Sequence, residues 1–407
     1  MSILTRIGSF GRKAVPAVAL AIVVATPVSG QYRATAITNV NIVPMDRETV
    51  LENMTIVVRD GVIESLTPAG DAHIPANATV IDANGKYLLP GLTDMHVHVR
   101  TADALKLYVA NGFTTVRDMN GRLGDPLGWR AAIQRGDIVG PRLITPAPTM
   151  LLRGFGTGYF APATAEEARD AREWFFRPME GTKRQGLRRS LDHANTGMVS
   201  LEHMWEVAGA AVGDHPDGLN RLREKARELQ TSGTAIATLL MSNLNYDELW
   251  VRRDSFFEGK RVELARRYTS VDAIYCGMDS ETYVEPLDRS LVLETLKIFN
   301  EEHVDVVIGT DLLGPLEIVG LSAFDEMDLF VEAGLKPFDA LRAATITPAK
   351  VLGQLERSGT IAVGKNADFV LVDGNPLENL EVLRKPSGVM VQGRWFDREE
   401  LRYLLAE

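Results

Sequence analysis

Residues 87–98 read YLLPGLTDMHVH, and the fold turns on this stretch. An apolar run of strand length leads through Pro90-Gly91 into two histidines, His96 and His98, at i and i+2. Alternate residues of a strand point to the same face, so both imidazoles look one way. At the C-terminal end of a barrel strand that face opens into the mouth, where barrel enzymes carry their chemistry. Two imidazoles on one rigid strand can share a metal ion. With seven histidines, a chance His-x-His arises in about one such chain in ten, so a bland reading stands beside it: strand-end histidines bonded to backbone.

Working outward from this stretch, residues 34–43, 54–66 and 78–89 carry β-branched residues in near-alternation. Arg59-Asp60-Gly61 and Asn84-Gly85 punctuate them as turns, which predicts a run of antiparallel strands. Beyond Gly91 the pattern changes to strand-length apolar runs alternating with helical stretches. Helices are predicted at 102–111, 126–135, 219–231, 291–302, 324–333 and 339–345. Strands are predicted at 113–116, 142–147 and within 234–241 and 304–311. Such alternation means parallel strands with crossover helices, an α/β layer or barrel. Residues 359–376 and 388–396 return to turn-punctuated strands. The expected architecture is α/β: a TIM-like (β/α) barrel over 91–350, flanked by a small β-domain built from 31–90 and 351–407.

Two further segments carry candidate chemistry. VDVVIGTD, 304–311, ends an apolar strand in Asp311. A carboxylate there is costly to bury unpaired and wants a cation. Equally, Asp is a favoured helix N-cap and more helix follows. VSLEH, 199–203, ends a short β-like run in His203, which can be a ligand or a structural histidine. His73, His193, His215 and His303 lack comparable placement.

The acidic balance, 44 basic against 54 acidic residues for a net charge of −10, argues against nucleic acid as a partner, since a phosphate backbone needs a basic face. A single cysteine excludes an internal disulfide and any cysteine cage for a metal. Arg6, Arg12 and Lys13 precede an apolar run from Ala14 to Val28, followed by Ser29-Gly30. The run contains Pro16 and Pro27 and is short of the roughly 20 residues a spanning helix needs. Residues 1–30 therefore read as a secretory signal peptide, with a secreted or periplasmic product and no stable membrane span after removal, against the alternatives of an uncleaved anchor or a buried helix.

These motifs together resemble the metal-dependent amidohydrolase superfamily, in its prolidase-like and imidazolonepropionase-like branch. PGLTDMHVH resembles the first barrel strand, GFTTVRDMNG (112–121) the second, SLEH the sixth and GTD the eighth. The most specific stretch is EAGLKPFDALRAATITPAKVLG (332–353) with GTIAVGKNADFVLVDGNPLENL (359–380). It resembles the passage from the last barrel helices back into a β-sandwich. The resemblance implies a divalent metal, zinc above all, and hydrolysis of an amide or lactam C–N bond. It implies that His96, His98 and Asp311 hold the metal, that His203 binds a second ion or orients the substrate carbonyl, and that Asp311 is the general base. The implied partner is a small molecule: a cyclic amide, an N-acyl amino acid or a dipeptide. A homo-oligomer is left open.

One place departs from the family pattern. Only 52 residues (148–199) separate the third-strand candidate from SLEH, where a barrel of ordinary size needs about 90. The total from Gly91 to Lys350, 260 residues, is close to the ordinary barrel of about 250, so the deficit is local. The family's fourth-strand lysine or glutamate and fifth-strand histidine have no counterpart. Phe176 falls near the histidine's place, and Lys183, among polar residues, is not assigned as a ligand. The expectation is that about one β/α unit is absent and that one ion is held rather than two. The competing reading is an amidohydrolase-fold binding protein that has lost catalysis.

Overall fold

The computed structural model describes residues 34–119, 124–145, 158–159, 199–213, 216–241, 244, 274–275, 288–312 and 317–406. The expected signal peptide and nearly all of 148–199, with Phe176 and Lys183, lie outside them, as does Ala147 at the end of the third-strand candidate. The chain begins with β1 (Thr35–Ile42), β2 (Leu51–Arg59), β3 (Val62–Pro68), β4 (Thr79–Asp82) and β5 (Tyr87–Pro90). β1, β2 and β3 form the antiparallel run the sequence predicts. Asp60 and Gly61 both adopt positive φ, 53° and 75°, the twist a two-residue hairpin turn requires.

The expectation of antiparallel pairing fails for the next two strands. β4 pairs with Thr35–Thr38 and β5 with Asn41–Ile42, both parallel to β1. Asn84-Gly85 does form a positive-φ turn. The chain then continues along β1 instead of folding back on β4. That path lets Leu88 join Ile37, Val40, Ile42, Ile56 and Ile63 in one apolar cluster.

After Gly91 come β6 (Leu92–Val97), α1 (Ala102–Ala110), β7 (Phe113–Asp118), α2 (Gly124–Arg135) and β8 (Arg142–Ile144). The three strands are parallel, in the order β6-β7-β8. Thr101 starts α1 by accepting from the Ala104 N–H, and Asn111-Gly112 ends it, Gly112 at φ 87°. Gly91 has no freedom to be anything larger: an added Cβ would lie 2.0 Å from Thr114 Oγ1. Thr114 is β-branched and buried, so it cannot swing aside. Gly91→Ala is expected to destabilise the fold by about 1–3 kcal/mol through overpacking, read as a lower urea midpoint. An unchanged midpoint would show that Thr114 can move.

Further on lie β9 (Gly158–Tyr159), β10 (Ser200–Leu201), α3 (Met204–Val212), α4 (Gly218–Ser232), β11 (Ala235–Ala237), β12 (Ile274–Tyr275), α5 (Arg289–Glu301), β13 (Val306–Val307), β14 (Glu317–Ile318), α6 (Ser322–Glu332), α7 (Pro337–Ala344) and α8 (Ile346–Val351). A second sheet runs β13-β11-β10-β9, parallel except for β9, and β12 pairs with β14. The Met95 N–H donates to Ile308 O at 2.8 Å, which links β6 to the end of β13. The helices cover these strands through one apolar cluster. In α4, for example, Leu222, Ala226 and Leu229 face inward at helical spacing.

The chain finally returns to the first sheet with β15 (Phe369–Val372), β16 (Gly388–Val391) and β17 (Arg394–Asp397). β15 pairs antiparallel with β5, so the order is β17-β16-β15-β5-β1-β2-β3. A last helix, α9 (Arg398–Ala406), was not read from the sequence. Its signal was there: Asp397 Oδ1 accepts from the Glu399 and Glu400 N–H groups, and Glu400 reaches back to the Asp397 N–H. Among the described residues no helix is long and apolar enough to cross a membrane.

Candidate metal centre

β6 is not a regular strand. Its register against β7 pairs Asp94 with Val116 and Val97 with Asp118, so β6 carries one extra residue between them. This bulge re-aims side chains. Met95 packs among Ala237, Leu239 and Val307, and the two histidines that follow converge on one point. His96 Nε2 lies 3.3 Å from His98 Nε2. Asp311 Oδ1 lies 3.3 Å from His96 Nε2 and 2.8 Å from His98 Nε2. His203 faces them, its ring centroid 5.7 Å from that of His96. Ligand atoms of His96, His203 and Asp311 all fall within 4.8 Å of one another.

The strand ends are built to turn side chains inward. His203 follows β10 at φ 63°, Leu239 follows β11 at 50°, and Asp311 and Leu312 follow β13 at 67° and 51°. Left-handed backbone is costly for such residues and persists where the surroundings hold it. For Asp311 those surroundings are explicit. Its N–H and that of Thr310 both donate to His96 O, at 2.8 and 3.1 Å. Thr310 Oγ1 donates to Asp94 Oδ2 at 2.7 Å, and the Thr310 N–H to Asp94 Oδ1 at 3.2 Å. Asp311 does not cap a helix directly, since Leu312 after it is left-handed instead of helical. Gly309 makes the closeness of β13 and β6 feasible, since a Cβ there would sit 2.8 Å from His96 Cβ. All four residues named from the sequence are thus brought together, and neither histidine of the pair takes the backbone-bonded alternative with its ring.

Sequence reasoning missed the layer behind them. Arg117 is fully buried on β7. It donates from Nη2 to Glu202 Oε1 at 2.8 Å, from Nη1 to Ser200 Oγ at 2.9 Å and from Nε to Met95 O at 2.6 Å. Glu202 Oε2 lies 2.8 Å from His96 Nδ1. A charged residue inside an apolar strand, as in FTTVRD, was the available signal. It could not say which partner waited 85 residues away. Trp205, in the first turn of α3, stands edge-on to His203 with centroids 6.1 Å apart.

The electrostatics follow from burial and pairing. Burial pushes His203 down to about 4, which keeps the ring neutral. Burial also works against a charged His96, but its hydrogen bonds to the Asp311 and Glu202 carboxylates overcome it and raise the ring to about 9. Asp311, likewise opposed by burial, is held well below the ordinary carboxylate range by its two imidazole partners. Burial would raise Glu202, yet the Arg117 charge and the His96 contact bring it down to about 2. Asp311 thus stays anionic and His203 neutral, the forms in which a carboxylate and an imidazole ligate a cation. A tetrahedral ion with bonds of about 2.0–2.1 Å has ligand-to-ligand edges of about 3.3–3.4 Å, near the observed separations. The donor set therefore fits a divalent cation.

Two nearby carboxyls behave oppositely. Burial raises Asp94 to about 7 and Glu326 to about 8, although Glu326 Oε1 accepts from the Leu240 and Met241 N–H groups. Raised carboxyls add stability that is full below about pH 4 and is lost as pH climbs through about 7 and 8. Glu326→Gln, neutral throughout, is expected to remove the later part of that loss. Its urea midpoint should fall less than the wild type's between pH 5 and pH 8; equal slopes would show that Glu326 does not hold a proton.

Residues 87–396 match the model of the amidohydrolase family. A dihydroorotase from Pelotomaculum thermopropionicum is 26% identical over 386 residues, covering 82% of this chain and 88% of its own length. An adenine deaminase from Deinococcus deserti is 27% identical over 357 residues, covering 84% of this chain and 56% of its own. The chain spans about half the length of the adenine deaminases it matches. Among solved structures, bottromycin amidohydrolase superposes with a TM-score of 0.63 at 20% identity, covering 91% of this chain and 89% of that one. A Xaa-Pro dipeptidase with bound methionine superposes at 0.58 and 20%, covering 89% and 100%.

Proposed function

The chain belongs to the amidohydrolase family, matched over residues 87–396, and on that premise we propose that it is a metal-dependent hydrolase of C–N bonds in small molecules. The observation that carries this reading is the triangle of His96 Nε2, His98 Nε2 and Asp311 Oδ1, with sides of 2.8–3.3 Å. The parallel strands β6–β8 and β10, β11 and β13 are read as parts of a TIM-like barrel over 91–350. The sheet shared by the chain ends is read as the flanking sandwich of 31–90 and 351–407. The likeness in fold to solved amidohydrolases supports both.

In this reading His96, His98 and Asp311 hold one divalent ion, zinc by preference for a nitrogen-rich set. When bound, the ion acidifies water and polarises a carbonyl. The chain's own residues do the rest. Asp311 takes the proton of the attacking water and hands it to the departing nitrogen as the C–N bond breaks. His203, kept neutral by burial, donates an N–H to the scissile carbonyl oxygen, where negative charge develops. The dihydroorotase, the adenine deaminase and the dipeptidase among its relatives and neighbours support a substrate of similar size: a cyclic amide, an N-acyl amino acid or a dipeptide.

The test is metal analysis of the purified chain, followed by hydrolysis assays on those three substrate classes after zinc or manganese addition. Less than about 0.2 metal per chain with no turnover rejects the reading. Metal at one per chain without turnover on any class favours the binding-protein alternative. Export with loss of residues 1–30 belongs to the same proposal. N-terminal sequencing of the mature protein should begin at Gln31, and a start at Met1 would count against it.

A further inference from the structure

A fully buried arginine beside a candidate metal centre needs a reason. The hydrogen bonds around Arg117 close a ring across three strands. From β7 the guanidinium grips Met95 O on the bulged strand β6, and Ser200 Oγ and Glu202 Oε1 at β10. Ser200 Oγ also donates to Glu202 Oε1 at 2.6 Å. That leaves Glu202 Oε2 for one partner, His96 Nδ1, and so returns the ring to β6. His96, Arg117, Ser200 and Glu202 are each at most 3% exposed, so water does not compete for these bonds.

We propose that Glu202, oriented by Arg117 and Ser200, is a positioning residue that fixes His96 with its proton on Nδ1 and its lone pair on Nε2, toward the metal. The inference rests on the metal-centre reading. A neutral imidazole has one N–H and one acceptor nitrogen, and a partner on one side decides which is which. A carboxylate can only accept, so Nδ1 must donate and Nε2 is left free for the ion. A carboxylate behind a ligating histidine is a recurrent device for fixing the ring and raising its basicity. Arg117 supplies the countercharge. Glu202 then remains an anion in the interior without needing a cationic ring opposite. Asp94 complements this from the other side, holding Thr310 so that Asp311 meets the same nitrogen.

The experiment uses the full chain. Long-range proton–nitrogen NMR of the zinc-loaded protein labelled at histidine reports the tautomer of each ring. The His96 signals are assigned by their loss in His96→Asn. A His96 ring protonated at Nδ1, with its proton protected from exchange, is the expected result; protonation at Nε2 overturns the assignment, with no need for a folded variant at Glu202. Zinc affinity is then measured by chelator competition for Glu202→Gln and for Arg117→Met/Glu202→Leu, which leaves no buried charge unpaired. Binding weaker by about 10–100-fold in the double variant is expected. An unchanged dissociation constant in a cooperatively unfolding double variant overturns the role while leaving the metal centre standing. A wild-type chain that binds no zinc instead overturns the metal reading itself.

Discussion

Asp311→Asn is expected to lower kcat/KM by about 10³–10⁴-fold and to reduce the metal retained through purification. The substitution keeps size and shape but removes two things at once. The amide cannot take a proton from water, so the proposed base is lost. Nor can it offer an anionic oxygen to an ion, so the triangle with His96 and His98 loses its charged corner. Backbone placement should survive, because the Asp311 N–H is held by His96 O and its neighbour Thr310 by Asp94. Thermal unfolding should therefore change far less than activity. Turnover within tenfold of the wild type, at unchanged metal content, would remove Asp311 from the chemistry.

The second large effect is on stability. Arg117→Met should destabilise the fold by about 3–5 kcal/mol, because it leaves the Glu202 carboxylate buried without its countercharge. Both side chains are shut off from water, so nothing screens the loss. Replacing the pair together, Arg117→Met/Glu202→Leu, should recover most of that loss, since apolar groups of similar volume substitute well for buried ion pairs. Denaturant unfolding of the two variants decides it. A single variant as stable as the wild type would mean that Glu202 finds another partner, or a proton, at little cost.

Much of the site was legible from residues 87–98, 200–203 and 309–311, because strand periodicity and a terminal ligand are local features. The bulge in β6 was not. Regular alternation would put Met95 and Val97 together on the face opposite His96 and His98, and one extra residue breaks that rule without leaving a mark in the letters. The parallel run of β4 and β5 along β1 was hidden for a related reason. A turn pair such as Asn84-Gly85 specifies local φ angles but not which strand the chain rejoins, and long-range burial of Leu88 decides that. Arg117 and Glu202 were invisible as a pair, since their meeting depends on how β7 and β10 approach across the interior. The family resemblance supplied the connection between distant motifs that local rules could not.

The sheet that joins both ends of the chain also sets a timetable. β5 ends at Pro90, and its neighbour β15 begins at Phe369. At roughly 5–20 residues per second, a ribosome takes on the order of 15–55 s to make the residues between them. Throughout that interval β5 has an open edge where β15 will lie, and open edges invite pairing with other chains. The last 39 residues, which carry β15 to β17 and α9, therefore act late and together. A chain cut short before them would leave the first sheet unfinished and its ladder exposed. Until those strands are made, the β15 side of β5 is a place where such pairing can start.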